Sequence, residues 1–101
     1  MKNNQLSLRD LQKRVQSLCK KKGWDKLSDE KTFILLVEEV GELAKAIRKE
    51  NNFLGEKTSV SRANLEEELA DVLSYLADIA NRFNIDLEKA YLDKENKLIS
   101  K

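Results

Sequence analysis

Apolar residues recur every three or four positions along most of this chain, and that rhythm predicts helices rather than strands. Leu8, Leu11, Val15 and Leu18 mark a first helix over Leu8–Lys22. It opens at Ser7, with Asp10 three residues on in a capping-box arrangement, and closes at Gly23. Trp24–Leu27 connects to a second helix that follows Ser28 as N-cap, carries Asp29 and Glu30 at the positive end of its dipole, and reaches about Lys49. Glu50–Ser59 (ENNFLGEKTS) reads as a loop. The third helix begins between Ser59 and Ser61 and ends near Phe83. Asn84-Ile85-Asp86 then forms a turn, with Asp86 as N-cap and an Ile85–Ala90 hydrophobic staple, and a fourth helix runs to about Ile99. The expected fold is all-α, a bundle of four main helices in a single domain over residues 1–101.

Composition supports the pattern. Pro is absent and Gly occurs only at 23, 41 and 55, which favours long uninterrupted helices. With 19 basic and 18 acidic residues the net charge is +1, not the field of a nucleic-acid binder. The single cysteine, Cys19, excludes an internal disulfide and reads as an inert small apolar residue. The absence of His removes His-based zinc sites, a Ser-His-Asp triad and a Cys-His dyad. No secretory signal or membrane-length apolar run is visible, so the expected location is the cytoplasm.

The chemistry lies in two carboxylate pairs at helical spacing, Glu39-x-x-Glu42 and Glu68-x-x-Asp71, inside apolar helical stretches. On the second helix Phe33, Val37, Val40, Ala44 and Ile47 form the expected core stripe, with Glu39 at its edge. Glu42 and Glu38 fall on a second face shared with Leu35 and Ala46, which predicts packing against a second subunit as well as within the chain. On the third helix Leu65, Leu69, Val72, Leu76, Ile79 and Phe83 set the core direction, and Glu68 projects only about 40° from Val72. Asp71 lies one turn further along the same flank, with Tyr75 and Asp78 continuing it, while Glu66 and Glu67 point elsewhere. A Glu-rich helix in a chain that is 37% charged can be no more than a solvated face. Against that, both pairs sit on the apolar boundary, and no Lys or Arg stands at i±3 or i±4 from Glu39 or Glu68. Buried acids without a cationic neighbour call for a shared positive partner, and a hard divalent ion with oxygen ligands, most simply magnesium, supplies one.

These residues resemble the MazG-type nucleoside triphosphate pyrophosphohydrolases of the all-α NTP pyrophosphatase superfamily. The likeness runs from about Trp24 to Lys97 and rests on Glu38-Glu39-Val40-Gly41-Glu42-Leu43, on Glu68-Leu69-Ala70-Asp71-Val72-Leu73, on the runs GELAKAI and DVLSYLADIANRFNIDLEKA, and on the closing Lys94-Glu95-Asn96-Lys97. The resemblance implies hydrolysis of (d)NTPs between the α and β phosphates, giving a nucleoside monophosphate and pyrophosphate in nucleotide-pool house-cleaning. It places magnesium ligands at Glu39, Glu42, Glu68 and Asp71, with one or two ions per site and manganese as a substitute. It puts Lys94, Asn96 and Lys97 near the phosphates and implies a homodimer or a dimer of dimers. Without His, the general base is a carboxylate or the metal's own water, and Glu38 is the candidate residue. Trp24 either stacks on the base or plugs the end of the bundle. The chain departs from relatives that contact the base through His and from the dimeric dUTPases with their long insertions. Two competing readings stand beside this one: a phosphoribosyl-ATP pyrophosphohydrolase, and a non-catalytic helical oligomerisation or regulatory module.

Overall fold

A computed structural model describes residues 5–100 and contains, among them, four α-helices and no strand. They are α1 (Leu8–Lys22), α2 (Asp29–Glu50), α3 (Ser61–Arg82) and α4 (Leu87–Ile99), with a single 3-10 turn at Trp24–Lys26. No helix among the described residues is long and apolar enough to cross a membrane. The outermost residues of the expected domain, 1–4 and 101, lie outside the described part.

The boundaries follow from local chemistry. At α1, Ser7 Oγ accepts from the Asp10 N–H and Asp10 accepts from the Ser7 N–H, so two orphan donors are satisfied reciprocally. Gly23 stops the helix with φ of 78°, a conformation in which a Cβ would be strained. Ser28 Oγ caps α2 at Lys31 N–H, and Asp86 caps α4 at Lys89 N–H. The ends of α2 and α3 share one device: Asn52 and Asn84 take left-handed φ of 56° and 55°. Phe53 N–H then reaches back to Arg48 O at 3.1 Å, and Ile85 N–H to Ala80 O at 2.8 Å, which closes the exposed carbonyls of each last turn.

The chain divides into two compact units, one made of the stretch up to Leu27 together with that from Ala77 onward, the other being Ser28–Leu76. In the first, Val15, Cys19 and Ala77 form a small core with Leu11 against it. Cys19, rather than the expected Leu18, is the buried member of that turn, and Leu18 is exposed. Beside this core, Gln12 is buried and ties three segments together. Its Nε2 donates to Asn81 Oδ1 at 3.1 Å and to Ile85 O at 2.8 Å, while its Oε1 accepts from Leu87 N–H at 2.8 Å. Asn81 Nδ2 returns a bond to Gln12 O at 2.9 Å. Gln12 thus caps the first turn of α4 from another helix. Arg9 adds exposed ion pairs to Asp86 at 2.7 Å and Glu88 at 2.9 Å, which contribute little by themselves.

In the second unit, the contacts Glu50–Arg62 and Glu39–Glu68 step backward along α2 as they step forward along α3, so the two helices run antiparallel. The loop between them is held by charge: Arg48 pairs with Glu56 at 2.9 Å, and Glu50 lies 3.6 Å from both Lys57 and Arg62. The burial pattern corrects the expected core stripes. Thr32, Leu36 and Ala46 are buried and Leu35, Glu39 and Leu43 half-buried, whereas Phe33, Val37, Val40, Ala44 and Ile47 are exposed. In the part of α3 that belongs to this unit, Ser61, Leu65, Glu68, Val72 and Tyr75 are covered and Leu69 and Leu76 exposed; further along α3, Ala77, Asp78 and Ala80 are buried, and Phe83 just after it is exposed. Each helix carries two apolar stripes one residue apart, about 100° around the axis. Size does not divide the two stripes: Leu36, Leu43 and Tyr75 turn inward, while Val37, Val40 and Leu69 turn outward. Glu39 and Glu68 therefore sit within the inward stripes, not at their edges.

Replacing Gln12 by Ala should lower stability by about 2–3 kcal/mol, because Ile85 O and Leu87 N–H lose their partner in a partly buried setting. A urea denaturation midpoint measured beside the parent protein checks this, and an unchanged midpoint would assign the network no structural weight.

Candidate functional site

Helix spacing delivers Glu39 from α2 and Glu68 from α3 to the same place, because each occupies an inward position of its helix. Asp71, one turn after Glu68, joins them from the exposed flank. One carboxylate oxygen from each of these three residues lies within 4.8 Å of the others.

Such convergence is electrostatically unfavourable, and the protonation of Glu39 records it. Its carboxyl is pushed up from the ordinary 4.5 to about 7, first by the hydrogen bond it makes with Glu68, then by burial, and then by the charges of Glu68, Asp71 and Glu42. A carboxyl raised this far takes up a proton more readily than an ordinary Glu, which partly offsets the charge the site gathers. Glu68 Oε2 is buried and has no hydrogen-bond partner. Glu50 Oε1 is likewise buried without a hydrogen-bond partner, but Glu50 lies 3.6 Å from both Lys57 and Arg62, and Asp78 is bonded by Arg82. A clustered all-oxygen donor set with a raised carboxyl and an orphaned oxygen fits a hard divalent cation. Glu39, Glu68 and Asp71 are the residues that could hold it.

The remaining expected residues are placed as follows. Glu42 is exposed on α2; its charge bears on Glu39, but its carboxylate is outside the converging group of three. Glu38, the candidate base, is exposed and also outside that group. Lys94, Asn96 and Lys97 are exposed on α4, in the other unit, where with Leu98 and Ser100 they line an open depression. Trp24 is 48% exposed on the 3-10 turn, so it does not act as a buried plug. Tyr75 is half-buried on α3. Cys19 is buried, and burial pushes its thiol up, away from the reactive thiolate.

One feature was not anticipated. Arg82 and Asp78 form a pair 3.1 Å apart, with side chains 11% and 13% exposed, beneath the turn that carries Trp24. Its only sequence signal is an acid and a base four residues apart on α3, which reads equally well as a surface ion pair. Arg48 and Arg62, which flank the loop, are engaged by Glu56 and Glu50.

Comparison with known proteins identifies the family of the chain. The family described as the MazG nucleotide pyrophosphohydrolase domain matches residues 27–101, a range that includes Glu39, Glu68 and Asp71. Among curated proteins, the chain is similar to dCTP pyrophosphatase 1 of Mus musculus, 34% identical over 92 residues, covering 87% of this chain and 54% of that protein. It is likewise similar to dCTP pyrophosphatase 1 of Homo sapiens, 35% identical over 92 residues with the same coverage. The chain thus spans about half the length of the curated relatives it matches. On the family match across three quarters of its length, and on these relatives, the chain belongs to the MazG nucleotide pyrophosphohydrolase domain family.

Proposed function

We propose that this chain is the catalytic domain of a cytoplasmic, magnesium-dependent pyrophosphohydrolase that cleaves (d)NTPs between the α and β phosphates, releasing a nucleoside monophosphate and pyrophosphate. The observation that carries the reading is the convergence of Glu39, Glu68 and Asp71, in which Glu39 is pushed up to about 7 and one Glu68 oxygen is buried without a hydrogen-bond partner. A triphosphate is the substrate class whose oxygens complete the coordination of a hard cation on so few protein ligands. The names of the relatives direct the first substrate to dCTP.

Glu39, Glu68 and Asp71 would hold the cation, with Glu42 joining from the next turn of α2. When bound, it would neutralise charge on the phosphates and acidify a water for attack. A cation held there would favour the ionised form of Glu39, so its binding would strengthen as pH rises toward and past about 7. Glu38, beside the ligands but outside the cluster, accepts the proton of the attacking water. Lys94 and Lys97 act as point charges on the phosphates and Asn96 as a hydrogen-bond donor, while Trp24 offers a face to the base.

The partner we propose is a second copy of this chain. Phe33, Ile34, Val37, Val40 and Ile47 of α2 are all at least 43% exposed, and Leu69, Leu73 and Leu76 of α3 at least 42%. A small domain does not leave this much large apolar surface in water without cost, and the same residues on two copies make a self-complementary face.

Three outcomes test the proposal. Magnesium should raise the melting temperature and EDTA should not. In metal-free protein, the proton on Glu39 is bound more tightly in the folded than in the unfolded chain. Stability should therefore fall as pH rises from about 4.5 to about 7, and magnesium should flatten that slope. Identical melts with and without magnesium at pH 7 would remove the metal centre. In a panel of (d)NTPs, pyrophosphate release should require magnesium, and Glu68→Gln should reduce it by more than the roughly 10–100-fold typical of losing an outer-shell partner. Metal-free E68Q should fold as well as the parent or better. Retained turnover would take Glu68 out of the mechanism, and activity on phosphoribosyl-ATP alone would redirect the substrate. Finally, sedimentation should give a dimer or tetramer, and Val37→Asp should shift it toward monomer; a monomeric parent would exclude self-association through this face.

A further inference from the structure

The turn that carries Trp24 has no helix of its own to hold it. It is a single 3-10 turn between the left-handed Gly23 and the extended Leu27, with two backbone bonds, Lys26 N–H to Gly23 O at 3.4 Å and Leu27 N–H to Trp24 O at 3.1 Å. What fixes it comes from α3. Arg82 Nη2 donates to Trp24 O at 3.1 Å and Arg82 Nη1 to Leu27 O at 2.5 Å, so one guanidinium spans both ends of the turn. The third nitrogen, Nε, donates to Asp78 Oδ1 at 3.1 Å, one helical turn back. The charge of Asp78 in turn bears on the Cys19 thiol of α1. All of these residues belong to the same compact unit.

A planar fork with fixed donor directions orients a backbone segment in a way that a lysine ammonium does not. Because the pair is nearly buried, neither partner is free to swing into water, and the bonds are stronger than their surface equivalents. The indole is left half-exposed while its own backbone is clamped. That combination is unusual for a residue whose only task is packing, since a packed Trp is held by its ring. We propose that Arg82, oriented by Asp78, is a positioning residue: it fixes the Trp24 turn so that the indole presents a preformed face to the nucleobase. This rests on the proposed reading of Trp24 as a substrate contact. In this role Arg82 acts through Trp24. Its effect falls on binding of the base and is absent for ligands that have none.

Trp24 is the only tryptophan in the chain, so its fluorescence reports the turn directly. In Arg82→Lys the steady-state anisotropy of that fluorescence should drop, and KM for dCTP with magnesium should rise about fivefold or more while kcat stays within about twofold. Inhibition by inorganic tripolyphosphate, which has no base, should be unchanged. Trp24→Ala should raise KM similarly, and the double variant should be no worse than Trp24→Ala alone. If Arg82→Lys folds poorly, Asp78→Asn provides the same comparison. An unchanged KM in Trp24→Ala would overturn the substrate reading of Trp24 and this inference with it. A raised KM in Trp24→Ala with a normal KM in Arg82→Lys, or fully additive effects, would overturn the positioning role alone. Loss of tripolyphosphate binding in step with dCTP, or failure of both pair variants to fold, would reduce the pair to a structural strut.

Discussion

Placing Glu39 and Glu68 where two antiparallel helices bury their inward stripes is the constraint around which the second unit is organised. Unit charges about 4 Å apart near a protein surface interact by roughly 4 kcal/mol, enough to open a marginal helical hairpin. Thr32, Leu36, Leu43 and Ala46 on one helix, and Leu65 and Val72 on the other, supply the apolar contact that keeps the acids together. At the loop end, Glu50 is flanked by Lys57 and Arg62 and Glu56 is bound by Arg48, so charge there is balanced and the hairpin is pinned. Positive side chains are thus spent on the acids near the loop, and none is supplied to Glu39 or Glu68. The imbalance is local, and the raised Glu39 carboxyl is its chemical trace.

Much of this was legible in the sequence because it is written in short-range signals. The bounds of α1 and the caps at Ser7, Gly23, Ser28 and Asp86 each depend on residues within one turn, and each was found where the spacing predicts. Glu39, Glu68 and Asp71 were legible for a related reason: an uncompensated acid at an apolar boundary is visible without knowing the tertiary fold. What periodicity could not supply is the direction of a stripe. Two apolar rows one residue apart give nearly the same helical signal, and only packing decides that Leu36 turns inward and Val37 outward. The Gln12 network and the Arg82 clamp were hidden for a different reason. Both join a side chain to backbone groups more than fifty residues away, and a backbone carbonyl has no sequence signature.

The two misassigned stripes change what α2 is for. Its inward row carries an acid between Leu36 and Leu43, and its outward row carries Phe33, Val37, Val40 and Ile47. On the proposed reading, both the cation and a second copy draw on the same 22-residue helix, from faces about 100° apart. A helix has no independent sides: a rotation that improves packing at Val37 also moves Glu39, which is two residues on. Linkage then requires that assembly and cation binding influence each other by equal amounts, in whichever direction the geometry sets.

Small size makes that economy intelligible. A chain of 101 residues buries only a modest share of its apolar surface by itself, and the fully covered hydrophobic residues here are few and mostly small, Ala46, Ala77 and Ala80 among them. Ala77 and Ala80 belong to the unit that holds Val15 and Cys19, so the approach of Glu39 to Glu68 and Asp71 rests on the covered rows of α2 and α3 themselves, where Leu36, Leu43, Leu65 and Val72 flank the acids. Phe33, Val37 and Leu69 on the neighbouring rows of the same two helices stay exposed. The acidic cluster and the apolar exterior are therefore adjoining faces of one helix pair, and the proposed cation and second copy draw on both.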